Sequence, residues 1–213
     1  MSNRQLFRAH NEFIPESASS LARQKILSLE ELASFVGAAR NRGRSIALAH
    51  GTFDLLHLGH VRHLEEARSL GDVLIVTITA DQFVNKGPGR PMFTAPLRAE
   101  MVAALACVDR VAVNDAPTAE NILHLLKPDV YVKGSDYAPD EKELTGAIRK
   151  ERDAVVANGG RIHFTYDITF SSSSLLNCQF DVFEPNLRAY LDLMRQNAGR
   201  NDFVEIPDAI KDK

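Results

Sequence analysis

The sequence contains no tryptophan, two cysteines and only 7% aromatic residues over 213 positions. Cysteines as far apart as Cys107 and Cys178 make no disulfide framework and are not spaced as metal ligands. They read as buried thiols of a reducing compartment. An excess of charge is missing too. Lys and Arg total 25 against 28 Asp and Glu, a net −3, which argues against a general nucleic-acid surface and leaves room for a local basic pocket. No apolar run reaches membrane-spanning length, and the N-terminus, MSNRQLFRAHNEFIPES, has charges where a signal peptide needs an apolar core. These absences point to a soluble, cytoplasmic protein that binds neither membrane nor nucleic acid. What the chain has is a hydrophobic fraction of 45%, enough for the core of one moderate domain.

Residues 1–24 are polar and unpatterned, with Pro15 and a cluster at Ser17, Ser19 and Ser20, and read as an extension. Ser28 stands three residues before Glu31, a capping-box spacing, and 29-LEELASFVGAAR-40 keeps its apolar residues at helical intervals. From residue 45 the chain alternates. Strands are expected at 45–53, 72–80, 109–113, 129–133 and 160–166, and helices at 60–70, about 95–106, 118–126 and within 139–157. The segment 81-DQFVNKGPGRP-91 cannot be regular throughout. This order predicts an α/β fold: a Rossmann-like, doubly wound, mainly parallel five-stranded sheet with helices on both faces. Ligands would bind at the carboxyl ends of its strands.

The stretch 50-HGTFDLLHLGHVRH-63 lies where a buried strand ends and a helix begins. A helix start offers free backbone N–H groups and the positive end of a dipole, which together attract phosphate. Gly51 and Gly59 remove Cβ atoms that would hold a phosphate away. His57 and His60, three apart, converge on one anion as donors to developing negative charge. His63 lies a turn further along and reads as an ordinary helix residue. Lys86 and Arg90 sit in a Gly/Pro loop where a cationic flap could close over phosphates. Lys133, Gly134 and Asp136 follow another strand, with Gly134 permitting close approach and Asp136 accepting from ribose or base donors. Asp54 would orient a partner or help hold Mg²⁺. Asp81, at the end of strand 72–80, is a candidate for the acceptor-substrate pocket.

The segment 51-GTFDLLHLGH-60 resembles the signature of the cytidylyltransferase-like nucleotidyltransferases, H-x-G-H preceded by Gly-Thr/Cys-Phe-Asp. Within them the chain is most similar to the adenylyltransferase half of bacterial bifunctional ADP-heptose synthases, from about Lys25 to Asn177. The similarity includes 86-KGPGRP-91, Arg98, 109-DRV-111, 133-KGSDY-137 and 157-ANGG-160. The resemblance implies a sheet of the HUP nucleotidyltransferase type. It also implies an enzyme that joins a sugar 1-phosphate to the nucleoside monophosphate of an NTP, ATP favoured, with release of pyrophosphate. His57, His60, Lys86 and Arg90 would then be catalytic. Gly51, Thr52, Phe53, Gly59, Arg98, Lys133, Gly134, Asp136, Ser171, Ser172 and Ser173 would hold the nucleotide, with Mg²⁺ arriving on its phosphates rather than in a protein cage.

The run 166-YDITFSSSS-174 departs from the Arg-Thr-Glu-Gly-Ile-Ser-Thr pattern of glycerol-3-phosphate and choline-phosphate cytidylyltransferases. A CTP-dependent enzyme for glycerol phosphate or another polyol phosphate stays as the alternative, and a non-catalytic nucleotide-binding module as the rival of another class. The transferase domain is expected over 25–178. Residues 179–213, with 184-EPNLRAYLDLMRQN-197 as an amphipathic helix, are expected to form a helical extension or a linker to a sugar kinase domain. A homodimer and a fused or separate sugar kinase are the partners considered.

Overall fold

The computed structural model describes residues 21–86, 89–134 and 146–166. All of them belong to one compact unit, residues 1–174, and the expected helix at 184–197 lies outside them. Five strands form the sheet: β1 (Ile46–Gly51), β2 (Val73–Thr79), β3 (Arg110–Asn114), β4 (Val130–Gly134) and β5 (Arg161–Thr165). Their order is β3-β2-β1-β4-β5, and every neighbouring pair is parallel. Helix α1 (Leu29–Arg40) precedes β1. The crossovers carry α2 (Leu58–Ser69), α3 (Ala95–Ala103), α4 (Glu120–Leu126) and α5 (Gly146–Ala157). The predicted doubly wound α/β sheet is therefore what forms, because the central strands β1 and β2 are apolar and buried on both sides and the crossover helices bring apolar faces to cover them.

The two faces separate along every strand by the alternation of side chains. Ala47, Ala49, Leu74, Val76, Ile78, Val111, Val130 and Val132 pack with Leu64 and Ala67 of α2 and with Ala95, Ala99 and Val102 of α3. Ile46, Leu48, Val73, Ile75, Ala112 and Tyr131 pack with α1, α4 and α5 through residues such as Leu32, Val36, Ile122, Leu126 and Val155. Cys107 is half-buried against the first cluster. Crossovers β1-α2-β2-α3-β3 build outward on one face. The chain then returns past β1 and builds β4 and β5 under the other face. That reversal opens a crevice between the carboxyl ends of β1 and β4.

Local chemistry sets the element ends. The Ser28 hydroxyl accepts from Glu31 N–H at 3.2 Å while the Glu31 carboxylate accepts from Ser28 N–H at 2.8 Å, the capping box its spacing predicts. At the amino edge of the sheet, three aspartates one residue before a strand accept N–H groups of its neighbour. Asp72 takes Ser45 at 2.8 Å, Asp109 takes Leu74 at 2.8 Å and Asp129 takes Ile46 at 2.7 Å. Such edge N–H groups have no strand partner, so a short carboxylate supplies one. The helix expected at 60–70 begins earlier, at Leu58, with His57 as its N-cap. Glycine and a leucine without β-branching do not interrupt the first turn, although the apolar periodicity starts only at Val61.

Asp129→Ala should lower stability by about 1–3 kcal/mol, because it strands the buried-side Ile46 N–H. A urea melt of D129A beside the more exposed D72A checks this, with the larger loss expected for D129A.

Candidate functional site

The crevice begins where β1 ends at Gly51. Phe53 takes a left-handed conformation, φ 48°, a region that costs a residue with a side chain about 1–2 kcal/mol, and its buried ring lies 5.3 Å from that of His60. A Cβ on Gly51 would come within 3.0 Å of the Phe53 ring. The absence of a side chain at Gly51 thus makes room for Phe53. Beside Gly134, at the end of β4, a Cβ would meet no atom of the described residues within 4 Å.

His57 caps α2 without a side-chain hydrogen bond of its own to the helix start. Its carbonyl accepts from His60 N–H at 2.9 Å, so the two rings stack with centroids 3.9 Å apart and planes at 28°. Gly59 lies between them in the first turn. Two imidazolium rings in this contact would repel. Burial first, then the charges of His57, His63 and Lys86, push His60 down to about 3. The ring is therefore a neutral donor near pH 7 in the ligand-free protein. Lys86 is exposed and close enough for its charge to reach His60. The buried His60 Nδ1 and Arg90 Nη2 have no hydrogen-bond partner among the described residues.

Asp54 is buried and organises the far wall. Its Oδ2 accepts from Arg90 Nε, and its Oδ1 accepts from Met92 N–H at 2.6 Å and Phe93 N–H at 3.3 Å. With these contacts made, the carboxylate orients the loop that carries Arg90. Arg98, fully buried, donates from Nε to Phe93 O at 2.9 Å and from Nη1 to Thr52 O. Its Nη2 donates to Thr79 O at 2.8 Å and Asp81 Oδ1 at 2.6 Å. The resemblance assigns Arg98 to a phosphate. Four of its five N–H donors instead bind the protein, beneath the crevice, and Asp81 is its partner.

Below Gly51 and Gly134 lies a second polar group. His50 bonds Thr77 Oγ1 at 2.9 Å through Nδ1 and Thr79 Oγ1 at 3.3 Å through Nε2. Burial, with the charge of Lys133, lowers it to about 4. Lys133 is buried and stands 3.1 Å from the Glu151 carboxylate. His63 bonds Thr165 Oγ1 at 2.7 Å, and burial lowers it to about 4.

Gly51, Thr52, Phe53, Asp54, His57, Gly59, His60, Arg90, Arg98 and Asp81 are thus joined by direct contacts or by the loop and helix start, with Lys86 close by charge and Lys133 and Gly134 on the adjoining strand. Asp136, Ser171, Ser172 and Ser173 lie outside the described residues. Sequence analysis does not single out Glu151, His50 or Tyr131. A usable signal exists for Glu151, because it falls in the helical stripe of Ile148, Ala154 and Val155, where a carboxylate is out of place unless paired. No group of three or more His, Cys, Asp or Glu among the described residues is arranged to hold a metal ion. No helix among them is long and apolar enough to cross a membrane.

A family model described as cytidylyltransferase-like matches residues 48–178. Bifunctional protein HldE of Geobacter metallireducens is 38% identical over 168 residues, which cover 78% of this chain and 32% of that protein. Bifunctional protein HldE of Nitrosococcus oceani is 42% identical over 158 residues, 73% of this chain and 32% of that one. The chain spans about a third of the length of these curated relatives. Among solved structures, pantoate-beta-alanine ligase from Francisella tularensis shares the fold, with a TM-score of 0.54 at 14% identity over 85% of this chain and 81% of its own.

The three lowered histidines set a pH dependence of stability. Each ring stays neutral in the folded chain down to about pH 4 for His50 and His63 and about 3 for His60, while the unfolded chain binds those protons near pH 6.5. Their contribution is complete above about pH 6.5 and is lost as pH falls toward 4, by up to about 1.4 kcal/mol per pH unit for each ring. Urea midpoints should fall between about pH 8 and pH 5, and H50N should flatten the decline. An unchanged slope in H50N would mean that His50 takes up its proton while folded.

Proposed function

The chain belongs to the cytidylyltransferase-like family, and from that premise we propose that it transfers a nucleoside monophosphate from an NTP, ATP favoured, to a sugar 1-phosphate of the heptose 1-phosphate kind. The products are an NDP-sugar and pyrophosphate. The observation that carries this reading is the stacked His57–His60 pair at the start of α2, beside the buried His60 Nδ1 and Arg90 Nη2, which have no hydrogen-bond partner among the described residues. A buried guanidinium donor and an imidazole nitrogen that can take up a proton suit a ligand rich in acceptor oxygens.

A phosphomonoester is already largely deprotonated near pH 7, so its oxygen needs no general base. It attacks the α-phosphorus in line, the new P–O bond forms, and the bond to the β-phosphate oxygen breaks, its electrons leaving with pyrophosphate. What the protein supplies is position and charge. His57 and His60 donate to the phosphoryl oxygens as negative charge builds there. The free N–H groups of the α2 start reinforce them. Arg90, held by Asp54, presents its remaining Nη donors, and Lys86 neutralises phosphate charge from the loop. Asp54 is engaged by Arg90, Met92 and Phe93, so Mg²⁺ would be held by the triphosphate and water, where it neutralises charge on the phosphates. Gly134 leaves room for the nucleoside, with Asp136 and Ser171–Ser173 proposed as further contacts. The HldE relatives are named bifunctional proteins, which supports the proposal that a sugar kinase, fused or separate, supplies the sugar 1-phosphate.

His57→Ala and His60→Ala should each lower kcat about a hundredfold or more with the fold retained, since a transition-state donor of this kind is worth about 2.7–4 kcal/mol. Pyrophosphate release measured across ATP, CTP, GTP and UTP with heptose, hexose and polyol phosphates tests the reaction itself. Silence throughout would leave a binding module, and turnover only with CTP and a polyol phosphate would replace the substrate assignment.

A further inference from the structure

Glu151 lies in the apolar stripe of α5, 5% exposed. Its Oε2 is 3.1 Å from Lys133 Nζ and accepts the Tyr131 hydroxyl at 2.9 Å, while its Oε1 accepts Ala119 N–H at 3.3 Å. Lys133 Nζ also donates to Tyr131 Oη at 3.2 Å. One carboxylate from α5 thereby holds a 6% exposed ammonium against the end of β4. Lys133 directly precedes Gly134, beside which no described residue would touch a Cβ, and sits one step beyond the Ala49–Val132 register pair, level with His50 on β1. The pair therefore lies under the point where strand order reverses. Among the described residues, the charged and titratable groups facing Lys133 include Glu151 from α5, Tyr131 from its own strand, His50 from β1 and His63 from α2. Both histidines are depressed in part by its charge. Burial pushes the Glu151 carboxyl up, but the charge of Lys133 and the hydrogen bonds to it outweigh that and hold it below the usual carboxylate range.

We propose that Glu151 is a positioning residue for nucleotide binding: it keeps the Lys133 ammonium charged and in place, so that a nucleoside triphosphate meets a fixed positive charge at the end of β4. This rests on the crevice being a nucleotide site, as proposed above. A buried ammonium stripped of its counter-charge is driven toward its neutral form at pH values where a paired one stays charged. Removing the carboxylate should therefore give nucleotide affinity a pH dependence that loss of packing alone would not.

The test is calorimetric titration of the full 213-residue chain with a non-hydrolysable ATP or CTP analogue and Mg²⁺, from about pH 6.5 to about pH 9. E151Q should bind nearly as the wild type at the low end and about tenfold or more weakly at the high end. K133M should be weak at both ends, and adding E151Q to K133M should cost nothing more. An E151Q profile parallel to that of the wild type, or a further loss in the double variant, overturns the proposal. If E151Q alone does not fold, the comparison of K133M/E151Q with K133M still decides, since a further loss in the double variant would show Glu151 acting on binding by a route other than Lys133. Wild-type protein that binds neither analogue at any pH would overturn the nucleotide-site reading itself, a result separate from either outcome for E151Q.

Discussion

A guanidinium with no access to water must have its charge met by the protein, and Arg98 is placed where that requirement organises the crevice. Its partners are Thr52 at the mouth of the loop after β1, Thr79 at the end of β2, Asp81 just beyond and Phe93 before α3. Each is a backbone carbonyl or carboxylate left over where a strand or loop stops pairing. Hydrogen bonds to a charged group are worth about 1.5–3 kcal/mol each, and leaving the charge unpaired costs more than any one of them returns. The loop 51–54 and the segment 90–93 are therefore held from beneath by Arg98 and from the side by Asp54. His57, His60 and Arg90 then stand on a fixed base.

The two edges of the sheet answer opposite needs with opposite charges. At the amino ends the unsatisfied groups are N–H donors, and Asp72, Asp109 and Asp129 accept them. At the carboxyl ends the unsatisfied groups are carbonyls, and Arg98 donates to them. The ion pairs Arg90–Asp54, Arg98–Asp81 and Lys133–Glu151 all lie at that second edge, the first and third of them buried. Each cation there is matched by a carboxylate, so the pairs fix the geometry of that edge without adding net charge to it.

Much of the architecture was legible from periodicity. Runs such as 73-VLIVTIT-79 can only be strands covered on both faces, and the spacing of Leu32 and Val36 or of Leu64 and Ala67 marks the helices that cover them. The carboxyl-end location of GTFDLLHLGH followed from the same alternation. Helix starts were less legible. The first turn of α2 carries no apolar period and no capping side chain, so His57 as N-cap and His60 in the first turn become visible only in the backbone.

By itself the sequence determined an α/β sheet and the placement of the H-x-G-H segment at its edge. These depend on local spacing and on groups near one another along the chain. Only the tertiary structure decided which charges face the crevice and which are consumed in building it. Arg98 turns inward to four partners, Asp54 is taken by the 90–93 loop, and Lys133 is claimed by Glu151 from a helix that follows it. Those pairings join residues 17 to 46 positions apart, apart from the bond to Phe93 five residues before Arg98. They arise because burial forces each charge to find a partner among whatever the fold brings within reach, a constraint that acts in three dimensions and leaves no spacing to read.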